Sequence, residues 1–360
     1  MSKQGTLKVN EEEAIAALSR LYALYGYTPY KMRKFEEYDL YVQNKSFLVS
    51  SNILTFTDAS GKLMALKPDV TLSIVRNSKE GQTSKVFYNE KVYRPDKNNR
   101  AFKEITQLGL ECIGIADAYA ICEVLTLALS SLEALSDDCM LDVSSLDILS
   151  LALDKATKDE KTQEELLVLI RRKAEHDLRA LCSERGVDEE NTALLSALCC
   201  LEGAPSKVLP TLEGLCGDEA WKQAVGGFSS LLSLLPEKHL RVDFSATGDR
   251  NYYNGVVFRG YLNGIPESFL SGGQYDKLME KLGKKAPALG FAVYLDEIER
   301  LCPRDVGPDV DVLLLYDGKT PPAELLSEVK KLTAEGKKVL ASPTEGKTTY
   351  LSLIDKRMGV

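Results

Sequence analysis

The 360-residue sequence predicts an α+β fold: an antiparallel sheet core, interrupted by a helical segment and followed by a small α/β module. Three observations carry that expectation. Strand-like runs come in neighbouring pairs, at 53–67, 92–114 and 252–273. From about 150 to 236 the chain is rich in Leu, Ala, Lys and Glu at helical spacing, with few strand signals. From 310 onward it reads strand, helix, strand, strand. Hairpins and helices in separate runs, rather than in strict alternation, are the α+β pattern. The expected domains are a first part of the core over 1–150, a helical insert over 151–236, a second part of the core over 237–303, and the small module over 304–360.

In chain order, "NEEEAIAALSRLYALY" (10–25) reads as a helix. Asn10 and Glu13 make a capping box, Ile15, Leu18, Leu21 and Tyr25 an apolar stripe, and Gly26 a stop. "ILTFTDASGKLMALK" (53–67) reads as a hairpin turned at Asp58–Gly61. "PDVTLSIVRN" (68–77) places Pro68 at a first helical position. The hairpin "VYRPDKNNRAFKEITQLGLECIG" (92–114) follows, then a helix over 117–135. After the helical stretch, strand character returns at "LRVDFS" (240–245) and runs through 252–273, where Asn263–Gly264 signals a tight type I′ turn. Helices are expected over "YDKLMEKLG" and over "ALGFAVYLDEIERL" (288–301), and "CPRDVGPDVD" (302–311) reads as a linker.

Composition narrows the function. The net charge is −8. Proteins that grip nucleic acid neutralise phosphates with basic surface, so bulk tRNA or DNA binding is not expected. No apolar run is expected to reach the ~18–20 residues that span a bilayer. The start, "MSKQGTLKVNEEE", lacks the apolar core of a signal peptide, so a cytoplasmic chain is expected. Eight cysteines are scattered without C-x-x-C spacing, and the histidines are His176 and His239. Zinc-ligand spacing is absent, and reduced, buried thiols are the simplest reading. His176 sits in a charged helical run and offers no general base. No metal and no cofactor are expected.

Alternation in the 92–114 hairpin puts Gln107, Gly109 and Glu111 on one strand face. Carboxylates suit an ammonium group through charge-assisted hydrogen bonds, and Gly109 leaves room for a ligand to lie on the sheet. The wet face of an antiparallel sheet would carry the same residues.

"MALKPDVT" (64–71), "VYRPDKNNRAFKEITQLGLECIG" (92–114), "YYNGVVF" (252–258) and "SGGQYDKLMEKLG…ALGFAVYLDEIERL" (271–301) together resemble the histidyl-tRNA synthetase family. Order and spacing match across 1–301. The resemblance implies a class II aminoacyl-tRNA synthetase-like antiparallel sheet core, normally homodimeric, and an abbreviated C-terminal module. It also implies a histidine pocket. Asp69 and Thr71 would hold the ammonium, Gln107 and Glu111 would contact the amino acid from the sheet face, and Tyr252 and Tyr253 would flank the imidazole. Gly272, Gly273 and Tyr275 match the glycine-rich strand and its following tyrosine. Arg94 matches the second-motif arginine, which in synthetases binds the carboxylate and α-phosphate.

Several positions depart from the family. Where synthetases carry an arginine for the ATP γ-phosphate, this chain has Glu297. A like charge ~4 Å from a triphosphate costs on the order of 4 kcal/mol at an effective dielectric of 20. Gly248 stands at the position of the catalytic arginine, with Arg250 offset by two. Lys67 replaces a usual arginine, Arg33 a usual proline and Arg259 a usual acid. With ATP binding dismantled and the amino-acid pocket kept, the chain resembles the synthetase paralogues that regulate ATP phosphoribosyltransferase. Members of that family activate a short catalytic subunit and let histidine inhibit the first step of histidine biosynthesis. The resemblance thus implies a non-catalytic chain in a hetero-oligomer with a catalytic transferase subunit. Histidine would bind in the old pocket or at a subunit interface. An authentic histidine–tRNA ligase and a free-standing amino-acid sensor are the rival readings.

Overall fold

The computed structural model describes residues 7–42, 53–79, 81–95, 101–250, 252–296, 298, 310–317, 319–343 and the strand 352–358. It forms two compact units, Met1–Cys302 and Pro303–Val360.

Helix α1 (Glu11–Leu24) starts where the capping box predicts. The Asn10 side chain accepts from the Glu13 amide at 3.0 Å and the Glu13 carboxylate from the Asn10 amide at 3.1 Å. Such a cap is worth ~1 kcal/mol. The buried face runs through Ala14, Leu18 and Tyr22; of the predicted stripe Leu18 is buried, Ile15 and Leu21 are half-buried against the core, and Tyr25 is exposed. Strands β1 (Thr28–Pro29) and β2 (Phe35–Glu37) and helix α2 (Tyr38–Val42) follow. The hairpin at Asp58–Gly61 forms β3 (Thr55–Thr57) and β4 (Leu63–Leu66), and β2 adds to it as a third strand, which the sequence did not signal. Helix α3 (Thr71–Asn77) begins three residues later than expected. Pro68 is not its first residue, because its carbonyl accepts Arg94 Nε at 2.8 Å while Asp69 receives the Leu72 amide at 2.9 Å.

The central hairpin is long: β5 (Ser84–Pro95) pairs with β6 (Phe102–Ile113) throughout. Of its predicted loop, residues 96–100 lie outside the described residues. Helix α4 (Ala118–Leu135) is, by length and composition, apolar enough to cross a membrane, against expectation. Here it is a core helix, with Val124, Leu127, Ala128, Leu132 and Leu135 buried. Strand β7 (Cys139–Ser145) was not predicted, and helix α5 (Leu146–Ala156) opens the helical stretch earlier than residue 150. Then come α6 (Glu160–Arg171), α7 (Glu175–Glu184), α8 (Glu189–Cys200), β8 (Glu202–Gly203), α9 (Pro205–Gly214), α10 (Glu219–Leu232) and β9 (Leu240–Asp243). His176 is exposed on α7.

Strands β10 (Asn254–Leu262) and β11 (Leu270–Gln274) are not joined by a two-residue turn. Gly264 does adopt φ +91°. Asn263, however, bonds Asp138 through both its amide (3.0 Å) and its side chain (2.7 Å), and Ile265 is buried, so the connection runs over 263–269. After the short helix α11 (Asp276–Lys281), residues 288–294 form a strand, β12 (Ala288–Tyr294), not a helix. It lies between β6 and β11 with residues 288–293 buried. A strand covered on both faces shows a continuous apolar run without alternation, and by pattern alone that run is indistinguishable from a buried helix.

The nine-stranded sheet has the order β1-β5-β6-β12-β11-β10-β7-β9-β8. Its middle pairs are antiparallel, while β1–β5 and β7–β9 are parallel. One face buries Leu108, Leu110, Phe258 and Phe291 in a core shared with α1, α4 and the helices α5–α10, including Trp221. The other face carries Tyr88, Val92 and Ile105, packed with α3 and with Tyr275 and Leu278 beside and on α11. The second unit has β13 (Val310–Tyr316) between β14 (Val339–Pro343) and β15 (Ser352–Met358), both parallel to it. Helix α12 (Pro322–Ala334) buries Leu332. The predicted linker lies mostly in 301–309, outside the described residues.

Candidate functional site

Alternation along β6 sends Leu108, Leu110 and Cys112 into the core and leaves Gln107, Gly109 and Glu111 on the opposite face. An open cleft of about 1510 Å³ lies over that face. Asp69, Thr71, Arg94, Gln107, Glu111, Tyr252, Tyr253, Gly272 and Tyr275 all line it. Gly273 does not; a Cβ there would stand 2.8 Å from the Tyr253 ring, so its lack of a side chain lets that ring lie on the strand.

Glu111 is the deepest acid, 2 % exposed. Its carboxylate accepts from Thr71 Oγ1 at 2.6 Å and from the Tyr275 hydroxyl at 2.5 Å. Directly across on β12 stands Gly290, where a Cβ would fall 2.0 Å from Glu111 Oε2. The missing side chain is therefore what makes room for the acid. Burial pushes the Glu111 carboxyl up to about 8; the two hydroxyl donors oppose this and the neighbouring Asp69 adds to it. Asp69 is raised too, chiefly by burial, with Arg94 and backbone amides pulling the other way.

Arg94 is buried and fully engaged. It donates to the Pro68 carbonyl, faces Asp69 at 3.7 Å, reaches Gln107 Oε1 at 3.5 Å and lies 6.0 Å from the Tyr294 ring centroid. Gln107 Nε2 donates to the Tyr88 hydroxyl at 3.2 Å. Tyr252 packs between Tyr253 (4.5 Å between centroids, rings tilted by 59°) and Tyr275 (5.8 Å, tilted by 47°). The inner end thus sets two carboxylates against the one arginine within reach, amid aromatic rings. A ligand ammonium or imidazolium supplies the positive charge that favours ionisation of both carboxyls.

The sign of the Glu111 shift yields a prediction. Its folded value lies above the ordinary 4.5, so the native state holds the proton more tightly than the unfolded chain. That contribution to stability is complete below about pH 4.5 and is lost as pH rises through about 8, at up to ~1.4 kcal/mol per pH unit. Thermal melts of ligand-free protein from pH 5 to 9 are expected to fall more steeply than those of Glu111→Gln. Parallel curves would remove Glu111 as the cause.

The departures from the synthetase pattern have structural counterparts. At Gly248 a Cβ would sit 2.1 Å from Tyr253 Cδ2, so the loop has no space for a side chain there. Arg250 does not line the cleft; it donates to Gln163 at 3.2 Å and to Ser150 at 3.4 Å among the helices. Lys67 is buried against Glu90 rather than lining the cleft. Arg33 is exposed on the other side of α3. Glu297 lies outside the described residues.

Sequence reasoning missed Tyr88, Gly290 and Tyr294, whose hydroxyl meets Ser271 Oγ at 3.0 Å. Tyr88 lies opposite Gly109, Gly290 opposite Glu111, and Tyr294 opposite Gln107. Reading 288–294 as the strand beside β6 would have found the last two.

With the geometry in place, comparison with known proteins is informative. The sequence pattern of the family described as "Histidyl-tRNA synthetase" matches residues 8–298. The chain is 25% identical over 363 residues to an ATP phosphoribosyltransferase regulatory subunit of Oceanobacillus iheyensis, covering 96% of this chain and 89% of that one. It is 27% identical over 330 residues to one of Alkaliphilus metalliredigens, covering 86% and 82%. Among solved structures, an ATP phosphoribosyltransferase regulatory subunit/histidyl-tRNA synthetase from Bacillus halodurans C superposes with a TM-score of 0.82 at 21% identity, over 99% of this chain and 96% of that one. The ATP phosphoribosyl transferase (HisG:HisZ) complex from Thermotoga maritima gives 0.63 at 19% identity, over 80% and 98%. The match over most of the first unit means that this chain belongs to the histidyl-tRNA synthetase family.

Proposed function

We propose that this chain is the regulatory subunit of an ATP phosphoribosyltransferase and acts in the first step of histidine biosynthesis. It activates a short-form catalytic subunit and transmits inhibition by histidine. The observation that carries this reading is the split character of the cleft. Its amino-acid end is assembled around Glu111, Asp69 and the tyrosines, while the loop at Gly248 is closed to any side chain by Tyr253. The names of the relatives and of the Thermotoga maritima complex support it.

In this reading the chain carries out no chemistry, and the partner subunit performs the transfer. The core is homodimeric, the assembly is cytoplasmic, and no tRNA is bound. Histidine acts by binding one quaternary state better than another, since only differential affinity shifts such an equilibrium.

Reconstitution tests it. Mixed with a short-form catalytic subunit, the chain is expected to raise transferase activity and make it sensitive to histidine. The chain alone is expected to give no histidine-dependent ATP–pyrophosphate exchange. Exchange at an ordinary enzymatic turnover of ~1–10³ s⁻¹ would instead establish a histidine–tRNA ligase. Histidine binding without any effect on the transferase would leave a free-standing sensor.

A further inference from the structure

Arg94, Lys103 and Arg259 are the cations that line the cleft among the described residues. Two of them face acids: Arg94 meets Asp69 at 3.7 Å and Lys103 meets Asp296 at 2.9 Å. Arg259 differs. Its guanidinium donates to the Thr247 carbonyl at 2.8 Å and has no carboxylate within ion-pair distance among the described residues. The acid opposite it in register, Asp142 on β7, is held by Arg241 through two bonds of 2.7 Å.

Of the nearby charged groups, Arg171 adds positive charge and Asp249, on the same loop, offsets part of it. Arg171, from α6, donates to Thr247 Oγ1 at 2.9 Å and to the Gly248 carbonyl at 3.3 Å. It holds the same loop that Arg259 touches, and its pKa is lowered by burial and then by Arg259, with Asp249 opposing. Two guanidiniums on one short loop repel each other, and an anion at Arg259 relieves that repulsion. Gly248 has no space for a side chain and Arg250 points into the helices, so Arg259 alone presents a guanidinium to this part of the cleft.

Across the sheet the sign reverses. Arg259, Ser271, Ala292 and Gly109 occupy one cross-strand row, so small residues separate the arginine from the Gln107–Glu111 segment. The three inter-strand steps between β10 and β6 span about 14 Å, which the arginine and the glutamate shorten by reaching inward. Tyr253 also lines the cleft; burial raises its pKa most, Tyr294, Glu111 and Asp69 add to this, and Arg259 lowers it.

We propose that Arg259 is the carboxylate-binding residue of the cleft, receiving the anionic end of a zwitterionic amino acid whose cationic groups face Asp69 and Glu111. This rests on the amino-acid reading given under Proposed function. It moves carboxylate recognition from Arg94, which is locked in its own contacts, to a strand on the other side of the site.

The test uses L-histidine and L-histidinol, which share the ammonium and the imidazole and differ in the carboxylate. Calorimetry on the full chain is expected to show a preference for histidine of about 10- to 150-fold, the range for hydrogen bonds to charged groups. Arg259→Gln retains a donor for the Thr247 carbonyl, and it is expected to abolish that preference while histidinol binds as before or tighter. Arg259→Lys is expected to keep part of the preference, because a point charge replaces a planar fork. Should the Gln variant fail to melt cooperatively, the Lys variant carries the same comparison. A preference unchanged in a folded variant, or an equal loss for both ligands, overturns the assignment. If the wild-type chain binds neither ligand, the amino-acid reading itself has failed, and the assignment fails with it.

Discussion

Complexes carrying Gly290→Ala are expected to lose histidine inhibition, with histidine binding weakened about 10- to 150-fold or more. The added Cβ would lie 2.0 Å from Glu111 Oε2 and 2.4 Å from the Leu110 carbonyl. A carboxylate tip can swing aside, but the carbonyl belongs to the paired strand β6 and cannot. Glu111 would therefore be driven from its Thr71 and Tyr275 donors while β6 and β12 are prised apart. Overpacking of this kind costs roughly 1–3 kcal/mol of stability. Gly226→Ala is the control: it lies inside α10 with nothing within 4 Å of the added carbon, so it is expected to be neutral or stabilising. Calorimetry and thermal melts separate the two effects. A Gly290→Ala protein that binds histidine like wild type would show that Glu111 is not part of the ligand site.

Gln107→Ala is expected to leave activation of the catalytic subunit intact and to raise the inhibitory histidine concentration about thirtyfold, the equivalent of ~2 kcal/mol. Asp69→Ala is expected to act in the same direction. Activation requires assembly, whereas inhibition requires histidine to prefer one assembled state, so a pocket change touches only the second. Of the two, Gln107 is the cleaner probe, since among the described residues its side chain hydrogen-bonds Tyr88 and Arg94 and holds no helix start. Asp69 also receives the Leu72 amide and faces Arg94, so its loss loosens the start of α3 and strands a buried guanidinium. Activity against histidine concentration, with assembly checked by sizing, reads both outcomes. Variants that assemble normally and are inhibited like wild type would make the pocket an inherited relic.

The sequence was most legible where the signal is local. The Asn10–Glu13 box, the Asp58–Gly61 turn and the period-two face of Gln107, Gly109 and Glu111 each depend on residues within a few positions of one another, and each appears as read, except that the space over Gly109 is filled by the Tyr88 ring and not left for a ligand. Reading failed where a neighbour distant in the chain decides the outcome. β12 is a strand because β6 and β11 flank it, and its unbroken apolar run says only that it is buried. Asn263–Gly264 does turn the chain, with the Ile265 amide on the Leu262 carbonyl at 3.1 Å, but that turn does not join β10 directly to β11, and Asp138, 125 residues earlier, holds Asn263.

The same division runs through the site. By itself the sequence determined the family, most of the residues named here that line the cleft and the absence of arginine at 248, because motif order and residue type survive without coordinates. Tertiary structure alone decided which of those residues are free to act. Arg94 is engaged by Pro68, Asp69 and Gln107, Arg250 turns into the helices, and Arg259 lines the cleft with no carboxylate within ion-pair distance among the described residues. The physical reason is that a charge's availability depends on what lies within a few ångströms of it, and strand pairing, not chain order, sets those neighbours.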